Sequence, residues 1–346
     1  MKKLLEKMEK LQRPSGAFIA APTPDYQACW LRDHLYISFS YYYINEFEKL
    51  KRGLWVAFDI LHKYRWKIER VICSPPNDIH NYLHAKYNPD TFEEVTKEWG
   101  HHQLDVLGLF LHIVADLDFK NIALIRNKND SEIIQLLVFY LLSVKYWEKP
   151  DNGMWEENLD LHPGNKSSSI GAALAGLFYI KRRQMAVVPE LMITLGRETL
   201  NNLLPNESPN HDVDMAQLSL IWPYNVISRE TADTILRKVR EKLVQKHGLN
   251  RYWGDNYYKS RNGISGEWPM GFFWLSIVAS QRHNVEEAKF WFEKGIAEMT
   301  SKGEIPEIYQ DDRPNEHTPL AWAHAMAIIA KAKLKQENHN HNKKAV

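Results

Sequence analysis

LDVLGLFLHIVADL, residues 104–117, is apolar nearly all the way round, interrupted by Asp105, His112 and Asp116. At helical spacing its side chains point in every direction, and a helix without a polar face is buried on all sides. Similar stretches recur at 36–44, 170–180, 215–222, 268–279 and 319–330. Between them run helices with a narrow apolar stripe and charged opposite faces. Leu50, Leu54, Phe58 and Leu61 form one stripe; Ile235, Val239 and Leu243 another; Val285, Ala288, Phe292 and Ile296 a third. Helices are expected near 2–11, 29–46, 47–67, 102–118, 130–147, 166–183, 187–203, 213–222, 229–246, 268–283, 285–300 and 318–336. Buried and amphipathic types take turns, which fits six inner and six outer helices in six hairpins closing a double ring. The expected fold is therefore all-α, an (α/α)6 barrel with no separate β-domain, rather than an irregular bundle or solenoid. One domain is expected over 1–336, followed by a polar, frayed tail at 337–346.

The 346 residues carry 44 basic and 43 acidic side chains, a formal charge of +1. That balance excludes a strongly basic nucleic-acid binder. No apolar stretch reaches the roughly 18 uninterrupted residues of a membrane span. The opening MKKLLEKMEKLQ threads its charges at helical spacing and reads as a surface helix rather than a signal peptide. Cys29 and Cys73 provide no metal framework, and a reducing, cytoplasmic compartment is expected. The 12 Trp, 16 Tyr and 13 Phe leave open whether the rings fill a core or line a cleft for sugars.

Position decides more than composition. Trp30-Leu-Arg32-Asp33 opens the first inner helix, Glu98-Trp99-Gly100 precedes the second, and Trp155-Glu156-Glu157 precedes the third. His211-Asp-Val-Asp214 precedes the fourth, Arg251 to Asp255 with Glu267-Trp268 the fifth, and Pro306-Glu307 the sixth. In an up-down ring all inner helices start at one end, so these clusters are expected to converge on one mouth. Aromatic rings, arginines and two glutamates there suggest glycoside chemistry. One carboxylic acid protonates the leaving oxygen, and a second carboxylate activates water or attacks carbon. Taken singly, Glu156 reads as a helix-entry carboxylate and Glu307 as a loop charge; as a pair they read as catalytic. Ser167-Ser168-Ser169 reads as a helix cap. His80 and His84, or His101 and His102, lack the context of a metal site. No metal and no cofactor are expected.

At these residues the chain resembles glycoside hydrolase family 15, the glucoamylase-like enzymes, and the related N-terminal regions of phosphorylase kinase α and β subunits. The matching pieces are CWLRDHLY (29–36), LHAKYN (83–88), EWGHHQLD (98–105), NGMWEEN (152–158), SSSIGAAL (167–174), RYWGDNYY (251–258), EWPMGFFW (267–274), PEIYQ (306–310) and TPLAWAHA (318–325). The resemblance implies an (α/α)6 barrel, Glu156 as general acid and Glu307 as general base. It implies that Arg32 and Asp33 grip the terminal glucose, joined by Arg251, with Trp30, Trp99 and Trp322 lining the ring site. Lys86 and Glu157 match positions that contact the next sugar. The family inverts configuration, so a water must fit between Glu307 and the anomeric carbon, with the carboxyl groups roughly 6.5–9.5 Å apart.

The resemblance thus implies an exo-acting α-glucosidase releasing β-glucose from a small α-linked oligosaccharide or disaccharide. No starch-binding module is evident in the sequence, so short substrates are expected. LHAKYN, EWGHHQLD and VFYLL (138–142) are closer to the kinase subunits than to the secreted enzymes. A non-catalytic glycan-binding or regulatory barrel is therefore the alternative.

Overall fold

The computed structural model describes residues 1–74, 76, 78, 81–96, 100–159, 164–260 and 262–344. Its α-helices are α1 (Lys2–Glu9), α2 (Leu31–Ser40), α3 (Phe47–Lys63), α4 (Arg65–Cys73), α5 (Leu104–Phe119) and α6 (Lys128–Ser143). They continue with α7 (Ser167–Arg182), α8 (Glu190–Leu203), α9 (Arg229–Lys242), α10 (Met270–Gln281), α11 (Val285–Ala297) and α12 (Ala321–Lys344). Two antiparallel ribbons accompany the helices: β1 (Cys29–Trp30) with β2 (Lys86–Tyr87), and β3 (Tyr309–Gln310) with β4 (Arg313–Pro314).

Six inner elements form a closed ring. α2 packs on α5, α5 on α7, α7 on a 3-10 helix at Met215–Leu220, that helix on α10, α10 on α12, and α12 back on α2. α3 with α4, α6, α8, α9, α11 and α1 lie outside them. The result is the (α/α)6 barrel, and its core is one continuous cluster from Leu4 to Ala330. Burial follows the two sequence types: every residue of α2 is buried, whereas α9 buries only Ala232, Ile235, Leu236 and Val239. α5 and α7 approach so closely that a Cβ on Gly108 would lie 2.2 Å from the Ala172 backbone. Small residues at that crossing let these two inner helices touch.

Several boundaries differ from expectation, each for a local reason. The expected helix at 47–67 breaks at Tyr64, which leaves helical geometry (φ −104°, ψ 19°) and starts α4. The inner element at 213–222 is a short 3-10 helix, capped by Asp214 and stopped before Pro223, which cannot continue it. α2 ends at Ser40, and the turn after it closes at Asn45 in the left-handed region. The buried line of α11 runs through Ala288, Trp291 and Gly295, with Phe292 and Ile296 only partly covered. Trp291 stacks on Phe272, and Gly295 admits the Phe273 ring, which a Cβ would meet at 2.7 Å. The last helix, expected to 336, continues to Lys344.

Candidate active site

The inner elements begin at one end of the ring, and a cavity of about 950 Å³ opens there. Trp30, Arg32 and Asp33 from the start of α2 form one wall, with Gly100 from the segment before α5. Trp155, Glu156 and Glu157 come from the loop before α7. Arg251, Tyr252, Tyr257 and Trp268 come from the chain before α10, and Glu307 and Trp322 from either side of the entry to α12. Five of the six expected clusters therefore reach one cavity. The His211–Asp214 cluster stands behind it: Asp214 accepts a bond from Trp155 Nε1 (2.8 Å), and His211 stacks on Tyr252 at 4.7 Å.

The loop carrying Glu156 is fixed from several sides. The Asn152 side chain accepts from His102 N (3.0 Å) and donates to the Glu157 carbonyl (2.8 Å). Lys166 Nζ donates to the Asp151 carbonyl at 2.6 Å from beneath. Glu156 itself sits at φ 61°, a left-handed conformation that costs energy for a residue with a Cβ and persists only where the surroundings enforce it. Gly100 is part of that enforcement, since a Cβ there would lie 2.6 Å from the Glu156 carbonyl oxygen.

Glu307 is 2% exposed, yet both its oxygens are engaged. Oε1 accepts from the Tyr26 hydroxyl (2.7 Å) and Oε2 from Asn315 Nδ2 (2.7 Å). Burial pushes its pKa up to about 7, against the opposing pull of the Tyr26, Asn315 and Tyr258 hydrogen bonds and of Arg251. Asp33 is likewise pushed up to about 7, chiefly by burial; Arg32 opposes this, while the charges of Glu156 and Glu307 add to it. Asp33 therefore feels both glutamates across the cavity.

Two buried arginines complete the walls. Arg32 Nε donates to Asp105 Oδ2 (2.8 Å) and its terminal nitrogen to Gln103 Oε1 (2.5 Å), tying α2 to α5. Arg251 grips Asp255 with two bonds (2.7 and 2.8 Å) and lies 3.9 Å from Glu157. Its guanidinium is ringed by Tyr257 at 4.9 Å and by Trp155, Tyr252 and Trp268 at 5.6–5.7 Å. Arginine held by a fixed carboxylate fork presents its remaining N–H groups in a set direction, which suits hydroxyl recognition.

Of the residues singled out from sequence, Trp30, Arg32, Asp33, Glu156, Glu157, Arg251, Glu307 and Trp322 line this one cavity. Lys86 stands one layer back: β1 pairs Trp30 with Lys86, whose ammonium lies 3.9 Å from the Trp30 ring centroid. Trp99, with Glu98 and His80, lies outside the described residues. Among the described residues no group of His, Cys, Asp or Glu is arranged to hold a metal ion. Tyr26 and Asn315, which touch Glu307, were not legible in sequence. Tyr26 lies 281 residues from Glu307, and Asn315, eight residues on, belongs to no motif of its own. Asp105 and Asp255 lay inside quoted motifs, but nothing in their spacing tied them to Arg32 and Arg251.

The model of glycosyl hydrolases family 15 matches residues 2–333. The chain belongs to glycosyl hydrolases family 15. Among curated proteins, this family 15 chain is similar to a probable phosphorylase b kinase regulatory subunit alpha of Drosophila melanogaster, 28% identical over 287 residues, covering 71% of this chain and 22% of that protein. The corresponding Caenorhabditis elegans protein is 25% identical over 300 residues, with 71% and 24% covered. The chain thus spans about a quarter of the length of these relatives. Among solved structures, a wild-type glycosidase superposes with a TM-score of 0.83 at 18% identity, covering 96% of each chain. A glycosidase variant in complex with glucose gives 0.82 at 18% identity, again covering 96% of each chain. Glucoamylase from Saccharomycopsis fibuligera gives 0.68 at 14% identity, covering 97% of this chain and 94% of that one. These likenesses establish the family 15 barrel as the fold.

Proposed function

We propose that this chain is an inverting, exo-acting α-glucosidase that releases β-glucose from short α-linked oligosaccharides or disaccharides. The supporting observation is that Glu156 and Glu307 both line one aromatic-walled cavity together with two buried arginines. In this reading, one catalytic domain over 1–336 carries the reaction. Glu156 is the general acid and donates its proton to the glycosidic oxygen. Glu307 is the general base and draws a proton from water attacking the opposite face of the sugar. Arg32, Asp33 and Arg251 hold the terminal glucose, so that hydrogen bonds tightening toward the oxocarbenium-like transition state lower the barrier. Trp30 and Trp322 line the ring site, a role the family resemblance also assigns to Trp99, Glu157 faces the next sugar, and Lys86 supports that side through the Trp30 ring.

The site requires no metal or cofactor in this reading. Among the described residues no helix is long and apolar enough to cross a membrane. Cys29 and Cys73 are both thiols, which suits the reducing, cytoplasmic setting we propose.

Incubating the full chain with maltose, isomaltose, kojibiose, nigerose, trehalose and maltotriose, and assaying glucose, tests the proposal. The base must be ionised, and burial lifts Glu307 to about 7. The acid limb of kcat/KM is therefore expected near pH 7 rather than near 4.5, with activity falling about tenfold per pH unit below it. A limb centred near 4.5 would contradict the assignment of Glu307 as base in this environment.

The relatives that are phosphorylase b kinase regulatory subunits favour a second reading, a glycan-binding regulatory barrel. It predicts tryptophan-fluorescence changes with sugars and no glucose release from any of them.

A further inference from the structure

Glu307 reaches the cavity from a short irregular stretch between α11 and α12, where no helix holds its side chain. What lies next to it is the β3–β4 hairpin. Tyr309 pairs with Pro314 and Gln310 with Arg313, and the turn between them is made by Asp311 and Asp312, both left-handed (φ 48° and 62°). That two-residue turn reverses the chain and returns Asn315 beside Ile308. There Asn315 N donates to the Ile308 carbonyl (3.1 Å), and the Asn315 carbonyl accepts from Thr318 Oγ1 (2.7 Å). The backbone on both sides of the asparagine is therefore pinned.

The side chain is pinned too. Its Oδ1 faces the Ile308 N–H at 3.5 Å, and its Nδ2 donates to Glu307 Oε2 at 2.7 Å. Reversing the amide would set oxygen against carboxylate oxygen and N–H against N–H, so the orientation follows from the surroundings. The tip of the hairpin is anchored in turn, because Asp312 accepts bonds from His247 Nε2 (2.8 Å) and Lys246 Nζ (2.9 Å).

We propose that Asn315 is a positioning residue for the general base: the hairpin exists at this point to deliver one amide N–H onto Oε2, fixing the carboxylate plane and favouring its ionised form. This rests on the reading of Glu307 as the base. A carboxylate can accept at about four lone-pair sites. With Tyr26, Tyr258 and Asn315 as its donors, a lone-pair site remains for a water in the cavity. The other groups facing Glu307 are Tyr257, Tyr258, Asp33 and Arg251. Asp33, itself a carboxylate, opposes ionisation of Glu307, whereas Arg251 favours it, and the Asn315 donor adds to the side that favours it.

The test titrates the Glu307 carboxyl directly in the full chain labelled with carbon-13 at glutamate carboxyls, its resonance identified by its loss in Glu307→Gln. In Asn315→Ala the midpoint is expected to rise by about one pH unit, since a hydrogen bond to the charged form is lost. In Asn315→Asp, which keeps the shape and adds a like charge, it is expected to rise further. If the alanine variant does not fold, Asn315→Leu, which keeps the side-chain volume without a donor or a charge, carries the measurement. On a cleaved substrate, kcat of Asn315→Ala near pH 6 is expected to drop about tenfold with KM nearly unchanged, and the deficit to shrink by pH 8.5. A purely structural role would give a loss independent of pH. Folded variants in which Glu307 titrates at the wild-type midpoint would overturn the proposal. The titration is read without substrate, so failure to cleave any sugar would overturn the glucosidase reading through a separate observation.

Discussion

Glu156→Gln is expected to lower kcat by about 10²–10⁴-fold, the range general acid catalysis contributes, while sugar binding survives. The amide is isosteric with the protonated acid and keeps its hydrogen-bonding shape, but it has no proton to give to a leaving oxygen. Glu156 lies in the left-handed region on a loop clamped by Asn152, Lys166 and Gly100. That backbone is imposed by its neighbours, so the substitution leaves the loop in place. The discriminating measurement combines turnover with tryptophan fluorescence, because Trp30, Trp155, Trp268 and Trp322 line the same cavity. A substrate with a good leaving group, which needs no protonation, should recover much of the lost rate in Glu156→Gln. It should not do so in Glu307→Gln, where water activation is missing. Equal rescue in both variants would contradict the division of roles.

Arg32→Ala is expected to cost about 3–5 kcal/mol of stability, because it leaves a buried carboxylate without its partner. Asp105 is 2% exposed and receives Arg32 Nε at 2.8 Å, and Gln103 receives a terminal nitrogen of the same guanidinium. Burial already raises the Asp105 pKa, with Arg32 the main opposing influence. Without the arginine the folded-state pKa rises further above the unfolded value. Between those two values the native state binds more protons than the unfolded chain, so the unfolding free energy of the variant increases as pH falls through that window. Denaturant unfolding of Arg32→Ala should therefore show the largest deficit at neutral pH and a smaller one near pH 4–5. Arg32→Lys should recover only part of the loss, since an ammonium cannot reach Asp105 and Gln103 in the same fork. A deficit below about 1 kcal/mol, or one that does not vary with pH, would contradict this account.

Much of the barrel was legible because its two helix types differ in burial, and burial writes itself into apolar periodicity. The segment at 104–117 has no polar face because α5 touches α2 and α7 within the ring and α6 outside it. Charged faces on α9 mark contact with the solvent side. Where a different force set the geometry, the pattern misled. Around 213–222 the side chains are as buried as expected, but Asp214 caps the segment and Pro223 stops it within a few residues. On α11 the covered line follows Trp291 and Gly295, because a glycine lets an aromatic ring approach and hydrophobicity alone does not register that.

The candidate site divides in the same way. Residues beside inner-helix starts, such as Arg32, Asp33 and Glu156, were readable because ring topology sends those starts to one end. Contacts that cross the chain were not. Tyr26 lies 281 residues from Glu307, and no periodicity relates the two. Lys86 matched a sugar-contacting position in the family resemblance, yet its ammonium lies against the Trp30 ring because β1 and β2 pair those two residues.

The central claim is that water attacks with inversion, activated by Glu307 while Glu156 protonates the leaving oxygen. Proton NMR of the anomeric signals in the first minutes of hydrolysis tests it most directly, before mutarotation mixes the products. The account predicts that, from an α-glucoside whose leaving group is not itself glucose, β-glucose appears first and α-glucose grows in only at the mutarotation rate. α-Glucose appearing first would mean retention, which requires a covalent intermediate, and would contradict the assignment of Glu307 as a general base.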